Sequence, residues 1–584
     1  MGEGSSGFAL LVATLRPERR RVALLVAVLL AGTLVPLAGP VIVGRVVDGA
    51  LAGRPLGDLS RLAALYLVIA VSSELLDLVL MWASVQVAWR SGNRLREQLA
   101  EHVLALDLGW HGRHTPGELI SRIDGDVEAL TTFFSNVVVK VLGNLLLVVG
   151  IVVVVFVVDW RIGVVVGVGS LAALVVTVRM RTFAVGANER EREVAARLYG
   201  DLEERLGGLE DLRANGGGDH ALRRLHDHSA GAWRAARTAW ARGQAAYAGA
   251  ASLFALGSVA TLGAGTVLHH RGALTLGGVL ELFRFSQMMR QPLERVAEQL
   301  PELQKALAGA RRASWLLAER SALDFVAPAG APVLPAGALS VELDGVYLSY
   351  DGEPPAVRDL HLCLAAGSTL GVVGRTGSGK TSFGRLLLRL WDPTGGVVRL
   401  GGVDVRDVPE AELRRRVAVV TQDVELLRAP VRDNLTMFGQ VAASDERLVA
   451  VLGDVGLGSW FAGLPAGLDS ELDGTNGLSA GQAQLLAFAR AFLSEPGLVV
   501  LDEASSRLDP VTEELVGAAT ERLLAGRTAV VIAHRLATLD RVDEIAVVEA
   551  GAVVEHGPRA DLAAAAGSRY ASLLHTAGAA GLLA

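Results

Sequence analysis

Six apolar runs crowd into the first half of the chain, and they decide most of what it can fold into. Each approaches the roughly 20 helical residues that cross a bilayer core about 30 Å thick. They cover residues 22–44, 62–89, 141–158, 162–178 and 243–268, with a sixth that starts near Leu274 and runs past Pro292. Pro36 and Pro40 predict a kink in the first. Glu74 and Asp77 interrupt the second, and Asp159-Trp160-Arg161 predict a tight hairpin between the third and fourth. Composition agrees. Of 584 residues, 51% are hydrophobic and only 20% charged, and the mean hydropathy is +0.40. That excludes both disorder and an ordinary soluble protein. A net charge of −7 argues against a nucleic-acid binder. The single cysteine, Cys363, excludes a disulfide framework within the chain and a four-cysteine zinc site.

Orientation follows from basic flanks. Arg16, Arg19, Arg20 and Arg21 precede the first run; Arg90, Arg94 and Arg96 follow the second. Arg179, Arg181, Arg190 and Arg192 follow the fourth, and Arg311 and Arg312 follow the sixth. If six helices alternate, all these flanks share one side, so both termini are expected in the cytoplasm. The connections on that side, residues 90–135 and 180–242, are long, polar and charged, and read as helices continuing below the bilayer. The first run is too long for the apolar core of a cleavable signal peptide. An Ala/Pro-rich linker is expected at 321–337. Beyond it, short Val/Leu strands alternate with helices, an α/β pattern. The expected division is a membrane domain at 1–320, the linker, and an α/β domain at 338–584.

Gly374-Arg375-Thr376-Gly377-Ser378-Gly379-Lys380-Thr381 fits the phosphate-loop pattern G-x-x-x-x-G-K-[ST] without deviation. It follows an apolar strand at 370–373 and opens a helix at Ser382. Glycines let backbone N–H groups curl around phosphates, and the helix N-terminus adds positive potential. Lys380 should neutralise the β- and γ-phosphates, and Thr381 should ligate Mg²⁺. Residues 498–503 form a second apolar strand ending in two acids, Asp502 and Glu503. Such a strand is covered on both faces, and its carboxyl end is where an α/β sheet places ligands. Asp502 suits a water-mediated hold on Mg²⁺, and Glu503 suits polarising the attacking water.

Leu478-Ser479-Ala480-Gly481-Gln482, just before that strand, resembles the signature motif of ABC transporter ATPases, usually LSGGQ. Tyr350 resembles the aromatic residue of that family that stacks on adenine, and Gln422 resembles its Q-loop glutamine. Ser505-Ser506-Arg507-Leu508-Asp509 resembles its D-loop, and His534 its switch histidine. With six preceding spans, the whole chain resembles an exporter half-transporter. The fold implied is an α-helical membrane domain of six transmembrane helices with long cytoplasmic extensions, plus an α/β P-loop ATPase domain.

The resemblance implies ATP and Mg²⁺ as ligands. It places catalysis on Glu503 and His534 and the metal on Thr381, Gln422 and Asp502. ATP contacts are implied at Tyr350, at Gly374 through Ser382, and at Gln422, Ser479, Ala480, Gly481, Gln482 and Asp509. Ser479 and Gly481 would serve the nucleotide of a second half-transporter bound head to tail. Coupling regions are implied near residues 117–127 and 200–212. Three positions depart from the usual pattern: Ala480 for glycine, Ala483 for a basic residue, and Arg507 for alanine. In heterodimers of this family, the half with the intact glutamate often carries an altered signature. A heterodimer is therefore favoured over a homodimer, in the inner (plasma) membrane of a bacterium.

Charges at bilayer depth are costly and line cavities or pair. Glu74 and Asp77 share one helix face, as do Glu281, Arg284 and Gln287 on the sixth run. These five are the candidate substrate path. Glu281 and Arg284 have the spacing to pair with each other. Two rivals to an exporter share the resemblance, an importer of a siderophore-like ligand and an ATP-gated regulator. The intact Glu503 argues against the regulator. The importer would be favoured by an extra N-terminal ligand-binding domain, whereas only about 20 residues precede the first run. A drug, a lipid or a peptide all remain as cargo.

Overall fold

The structure is a computed structural model that describes residues 9–10, 12–325, 330–350, 352–421, 424–472, 478–502, 510–533 and 536–581. It divides into two compact units, Met1–Leu104 with Pro116–Glu319, and Ala105–Thr115 with Arg320–Ala584.

The described residues of the first unit are helical apart from short turns. Among them, four helical runs are long and apolar enough to cross a membrane: Val12–Leu51, Leu56–Leu104, Pro116–Val158 and Gly218–His270. The first of them is interrupted by a 3₁₀ turn at Val35–Leu37. Pro36 sits in that turn, since it lacks the N–H that a continuous helix would use. Leu56–Leu104 runs 49 residues, roughly 70 Å at the helical rise, far beyond one bilayer. Its apolar stretch stays bare, with Leu67 63% and Trp82 66% exposed. That is the reverse of a soluble helix, and it suits contact with lipid or another chain. The Asp159 carboxylate accepts from the N–H groups of Arg161 and Ile162 at 2.8 and 3.3 Å. This cap reverses the chain between Val138–Val158 and Trp160–Gly207.

The fourth and sixth expected spans are present as helix but shorter in their apolar part. The fourth is an apolar stretch at Trp160–Val176, continuing as polar helix to Gly207. The sixth is split into Leu276–Met288, Arg290–Glu298 and Leu300–Ala318. Pro292 and Pro301 each fall in the first turn of a new helix, where no backbone donor is lost. Asp48, near the end of Ala38–Leu51, accepts from Thr275 Oγ1 and from Gly277 N, both at 2.7 Å. Here Gly44 and Gly277 bring two backbones together: a Cβ on Gly277 would lie 2.1 Å from the Gly44 carbonyl oxygen. Further along, Asp126, 6% exposed, is gripped by the Arg312 guanidinium through Nε at 2.9 and 3.1 Å and through Nη2.

In the second unit, a six-stranded sheet runs in the order Ala552–Pro558, Glu544–Glu549, Thr369–Val373, Thr528–Ile532, Leu498–Asp502, Val417–Val420. The last five are parallel, and Ala552–Pro558 is an antiparallel edge. Thr369–Val373 and Thr528–Ile532 are buried at every position, as strands covered on both faces must be. A four-stranded antiparallel sheet, led by Val341–Leu348 and Val357–Leu364, packs its buried face onto the same core.

Ala105–Thr115 clusters with this second unit. The expected first coupling region, residues 117–127, falls in the first unit, and Ala105–Thr115 lies just before it in sequence. Within Ala105–Thr115, Asp107 caps the short helix Leu108–Gly112; its carboxylate accepts from Trp110 N at 2.9 Å and from Ala322 N at 2.7 Å. Trp110 is 3% exposed and stacks on His114, with ring centroids 4.2 Å apart. The second expected region, 200–212, spans the end of Trp160–Gly207 and most of the short helix Leu209–Ala214, within the first unit. The linker stretch is tied down on both sides of its undescribed centre. Asp324 O accepts from buried Arg389 at 2.7 Å, and Arg416 donates to Pro335 O at 2.6 Å.

Burial by itself pushes the Asp107 carboxyl up, but the N–H groups of Ala322, Trp110 and Gly109 outweigh it and hold the pKa below the ordinary range. A depressed pKa gives stability that is present above the unfolded value and lost as pH falls through the folded one. The protection of residues 105–115 against hydrogen exchange, taken relative to the intrinsic rates at each pH, should therefore be constant across neutral pH and fall only on strong acidification. Asp107→Ala should remove about 1 kcal/mol of protection at pH 7. Unchanged exchange in that variant would show that the segment is held by other contacts.

Candidate functional site

Strand Thr369–Val373 delivers the phosphate loop to helix Lys380–Leu387. Gly379 has φ +106°, and a Cβ there would lie 2.6 Å from the Ala356 carbonyl oxygen. Only glycine meets both conditions. Gly377 has φ +82° and open space where a Cβ would be. The loop thus has a tight floor and a free concave side. Lys380 is 4% exposed, and its Nζ donates to Gly374 O at 2.7 Å and Arg375 O at 3.1 Å. The Ser378 hydroxyl is buried and, among the described residues, has no hydrogen-bond partner. Arg375, Thr376 and Thr381 are exposed. A buried amine, an unspent hydroxyl donor and a curled glycine backbone together fit a polyphosphate.

Asp502 closes its strand in register with Ile532, and Ile532 is in register with Val372. Its carboxylate therefore stands at the carboxyl end of the sheet, level with the strand that feeds the phosphate loop. Gln422, Glu503, Asp509 and His534 lie outside the described residues. In sequence, the first, second and fourth follow within two residues of strands Val417–Val420, Leu498–Asp502 and Thr528–Ile532.

Ser479 caps helix Ala480–Ser494. Its Oγ accepts from Gln482 N at 3.1 Å, and the Gln482 side chain accepts from Ser479 N at 3.0 Å. This reciprocal box fixes the start of the signature helix. Ser479 and Ala480 are exposed and Gly481 is buried. The extra methyl of Ala480 thus points away from its own chain's core. Ala483 is 4% exposed and Gln484 5%, so the residue after Gln482 is a packing position in this chain.

Tyr350 donates to Ser382 Oγ at 2.9 Å. Its ring meets Trp391 edge to face, with centroids 5.3 Å apart at 87°. Arg385 lies against both rings, 4.8 Å from the Trp391 centroid and 5.8 Å from that of Tyr350. Sequence spacing singled out neither Arg385 nor Trp391. The available signal was an aromatic residue shortly after the phosphate-loop helix, which has no meaning until the fold brings Tyr350 beside it.

In the helical unit, a cavity of about 680 Å³ is lined by Pro36, Pro40, Tyr66, Glu74, Arg284 and Gln287 among others. Three of the five path candidates thus share one cavity. Asp77 and Glu281 are not in its lining. A Cβ on Gly32 would lie 3.7 Å from Asp77 Oδ1, and one on Gly44 would lie 3.3 Å from Glu281 Oε2. Glu281 and Arg284 do not pair, because Glu281 points at Ala38–Leu51 while Arg284 opens on the cavity.

Residues 22–293 match the ABC transporter transmembrane region, and residues 357–506 match the ABC transporter family. The chain is 30% identical to an ATP-dependent lipid A-core flippase of Chromobacterium violaceum, over 84% of this chain and 83% of that protein. It is 29% identical to a fatty acid ABC transporter ATP-binding/permease protein of Mycobacterium bovis, over 91% and 82%. It is 30% identical to a multidrug efflux ATP-binding/permease protein of Mycobacterium bovis, over 84% of this chain and 41% of that protein. A helical membrane region, an ATP-binding α/β unit and these likenesses together make the chain a half-transporter of the ABC exporter family, in which ATP hydrolysis drives transport across a membrane.

Proposed function

We propose that this half pairs with a different half-transporter and exports an amphiphile across a bacterial inner membrane. Both termini and the ATPase lie in the cytoplasm on this reading. The domains are 1–320 for the membrane part, 321–337 for the linker and 338–584 for the ATPase. The observation that carries the nucleotide chemistry is the phosphate loop, with its buried Lys380 amine and unspent Ser378 hydroxyl.

Tyr350 stacks on adenine, and residues Gly374 to Ser382 wrap the phosphates. Thr381, Gln422 and Asp502 would hold Mg²⁺, which would supply charge neutralisation to the phosphates when bound. Glu503 orients and polarises the attacking water, and His534 contacts the γ-phosphate. Asp509 and the face of Ser479, Ala480, Gly481 and Gln482 meet the partner half. ATP shared by two surfaces closes the pair, and its hydrolysis releases them.

The Glu74, Arg284 and Gln287 cavity supports an amphiphilic cargo, since it offers both signs of charge within apolar walls. Two of the relatives are named for lipid A-core and fatty acid cargo, which agrees. Asp77 and Glu281 stay as candidates for the wider path.

The test is Mg-ATPase activity of the purified chain in lipid nanodiscs, alone and with its partner half. Alone it should be nearly silent. With the partner it should turn over, and Glu503→Gln should lower that rate at least about 100-fold. Vigorous turnover by the chain alone would overturn the heterodimer. Undiminished activity in the glutamine variant would overturn the role of Glu503.

A further inference from the structure

The phosphate-loop helix Lys380–Leu387 ends four residues before Trp391. Trp391 is held in place from both sides in sequence. Arg389, 2% exposed, donates to Asp392 Oδ1 at 2.9 Å and so braces the turn that carries the indole. One contact of the ring is Tyr350, edge to face, with Arg385 against both. Another is Ala105–Thr115. A Cβ on Gly109 would lie 3.4 Å from Trp391 Nε1, so that backbone rests on the indole. Gly109 is the second residue of helix Leu108–Gly112, which Asp107 caps. Ala105 itself follows directly on the 49-residue helix Leu56–Leu104. One side chain therefore touches both the tyrosine of the nucleotide site and the segment covalently continuous with a membrane helix.

We infer that Trp391 is a positioning residue through which a base stacked on Tyr350 orders the segment Ala105–Thr115. The inference rests on the reading of Tyr350 as the base platform. Edge-to-face pairs are directional. A base seated on Tyr350 fixes the tilt of that ring, and the ring fixes the indole that Gly109 rests on. The Gly109 backbone thus lies at van der Waals distance from the indole, and loss of the indole would remove this contact and leave the segment to its Asp107 anchor alone. The phosphates act on the other end of Lys380–Leu387, so a ligand without a base fills the loop but does not set the tilt.

The test is hydrogen exchange of residues 105–115 in the full-length chain in nanodiscs, with and without saturating Mg-ATP. Inorganic tripolyphosphate is the probe that lacks a base. In the wild type, ATP should slow exchange of this segment several-fold, and tripolyphosphate should not. Trp391→Ala should lose the ATP response while weakening ATP binding by at most about ten-fold, the worth of one aromatic contact. Trp391→Phe should restore much of it. Exchange in strand Val417–Val420 should be the same in all three proteins, which separates this role from general unfolding. An ATP response that survives in Trp391→Ala, or an equal response to tripolyphosphate, would overturn the inference. Tyr350→Ala is the separate control. If it leaves ATP affinity unchanged, the base platform is wrong, whatever Trp391 does.

Discussion

Lys380→Ala abolishes ATP turnover, lowering kcat/KM at least about 100-fold, the usual worth of one preorganised charge on a developing anion. The amine is 4% exposed and held by two loop carbonyls, Gly374 O at 2.7 Å and Arg375 O at 3.1 Å. It is thus positioned before any phosphate arrives, and binding costs it little reorganisation. Alanine removes both the charge and the two donors that tie the loop's first residues to the helix. The loss should appear in ATP affinity as well as in rate, because the charge acts on bound nucleotide before the transition state. The check is steady-state ATPase activity of the assembled transporter, alongside equilibrium binding of a non-hydrolysable ATP analogue. Retention of more than about a tenth of wild-type turnover would show that Lys380 is not a phosphate ligand.

Arg389→Met destabilises the ATPase unit by about 3 kcal/mol, the low end of the range for stripping one partner from a buried ion pair, because the Asp392 side chain is 27% exposed. Arg389 is 2% exposed and has φ +45°. Its guanidinium joins Asp392 Oδ1 at 2.9 Å and Asp324 O at 2.7 Å, and covers the Phe325 ring at 4.3 Å. Methionine fills some of the volume but leaves the Asp392 carboxylate and the Asp324 carbonyl without their donor. For a domain of this size, the change should lower the unfolding midpoint by about 10 °C. Calorimetry of the purified chain reads it directly. A shift below about 2 °C would mean that Asp392 and residues 324–325 are held by something else.

The phosphate loop, the acid strand and the signature were legible in the sequence because backbone geometry leaves few residue choices there. Gly379 must be glycine for its φ and for the Ala356 carbonyl beside it, and Ser479 and Gln482 carry their own capping box. Such local requirements survive in a linear string. The membrane helices were legible through apolarity, but their ends were not. The break after Met288 and the polar continuation of Trp160–Gly207 depend on which neighbours satisfy the backbone. The position of Ala105–Thr115 was missed because helical spacing around residues 117–127 looks the same whichever unit a segment packs on. Trp391 and Arg389 were silent for the same reason, since each acquires a partner only when residues far apart in sequence meet. Of the five charged or polar path candidates, sequence could pair Glu281 with Arg284 by spacing, yet the fold turns them toward different neighbours.

The junction at Asp48 constrains how the bundle can open. With both carboxylate oxygens engaged by Thr275 and Gly277, and the Gly44 and Gly277 backbones too close to admit a methyl, Ala38–Leu51 and Leu276–Met288 have no slack between them at that end. Sliding either past the other would break two short hydrogen bonds and drive a carbonyl into a neighbouring backbone. The two helices are therefore held in one register at that end, and parting them there first requires Asp48 to give up both of its hydrogen bonds.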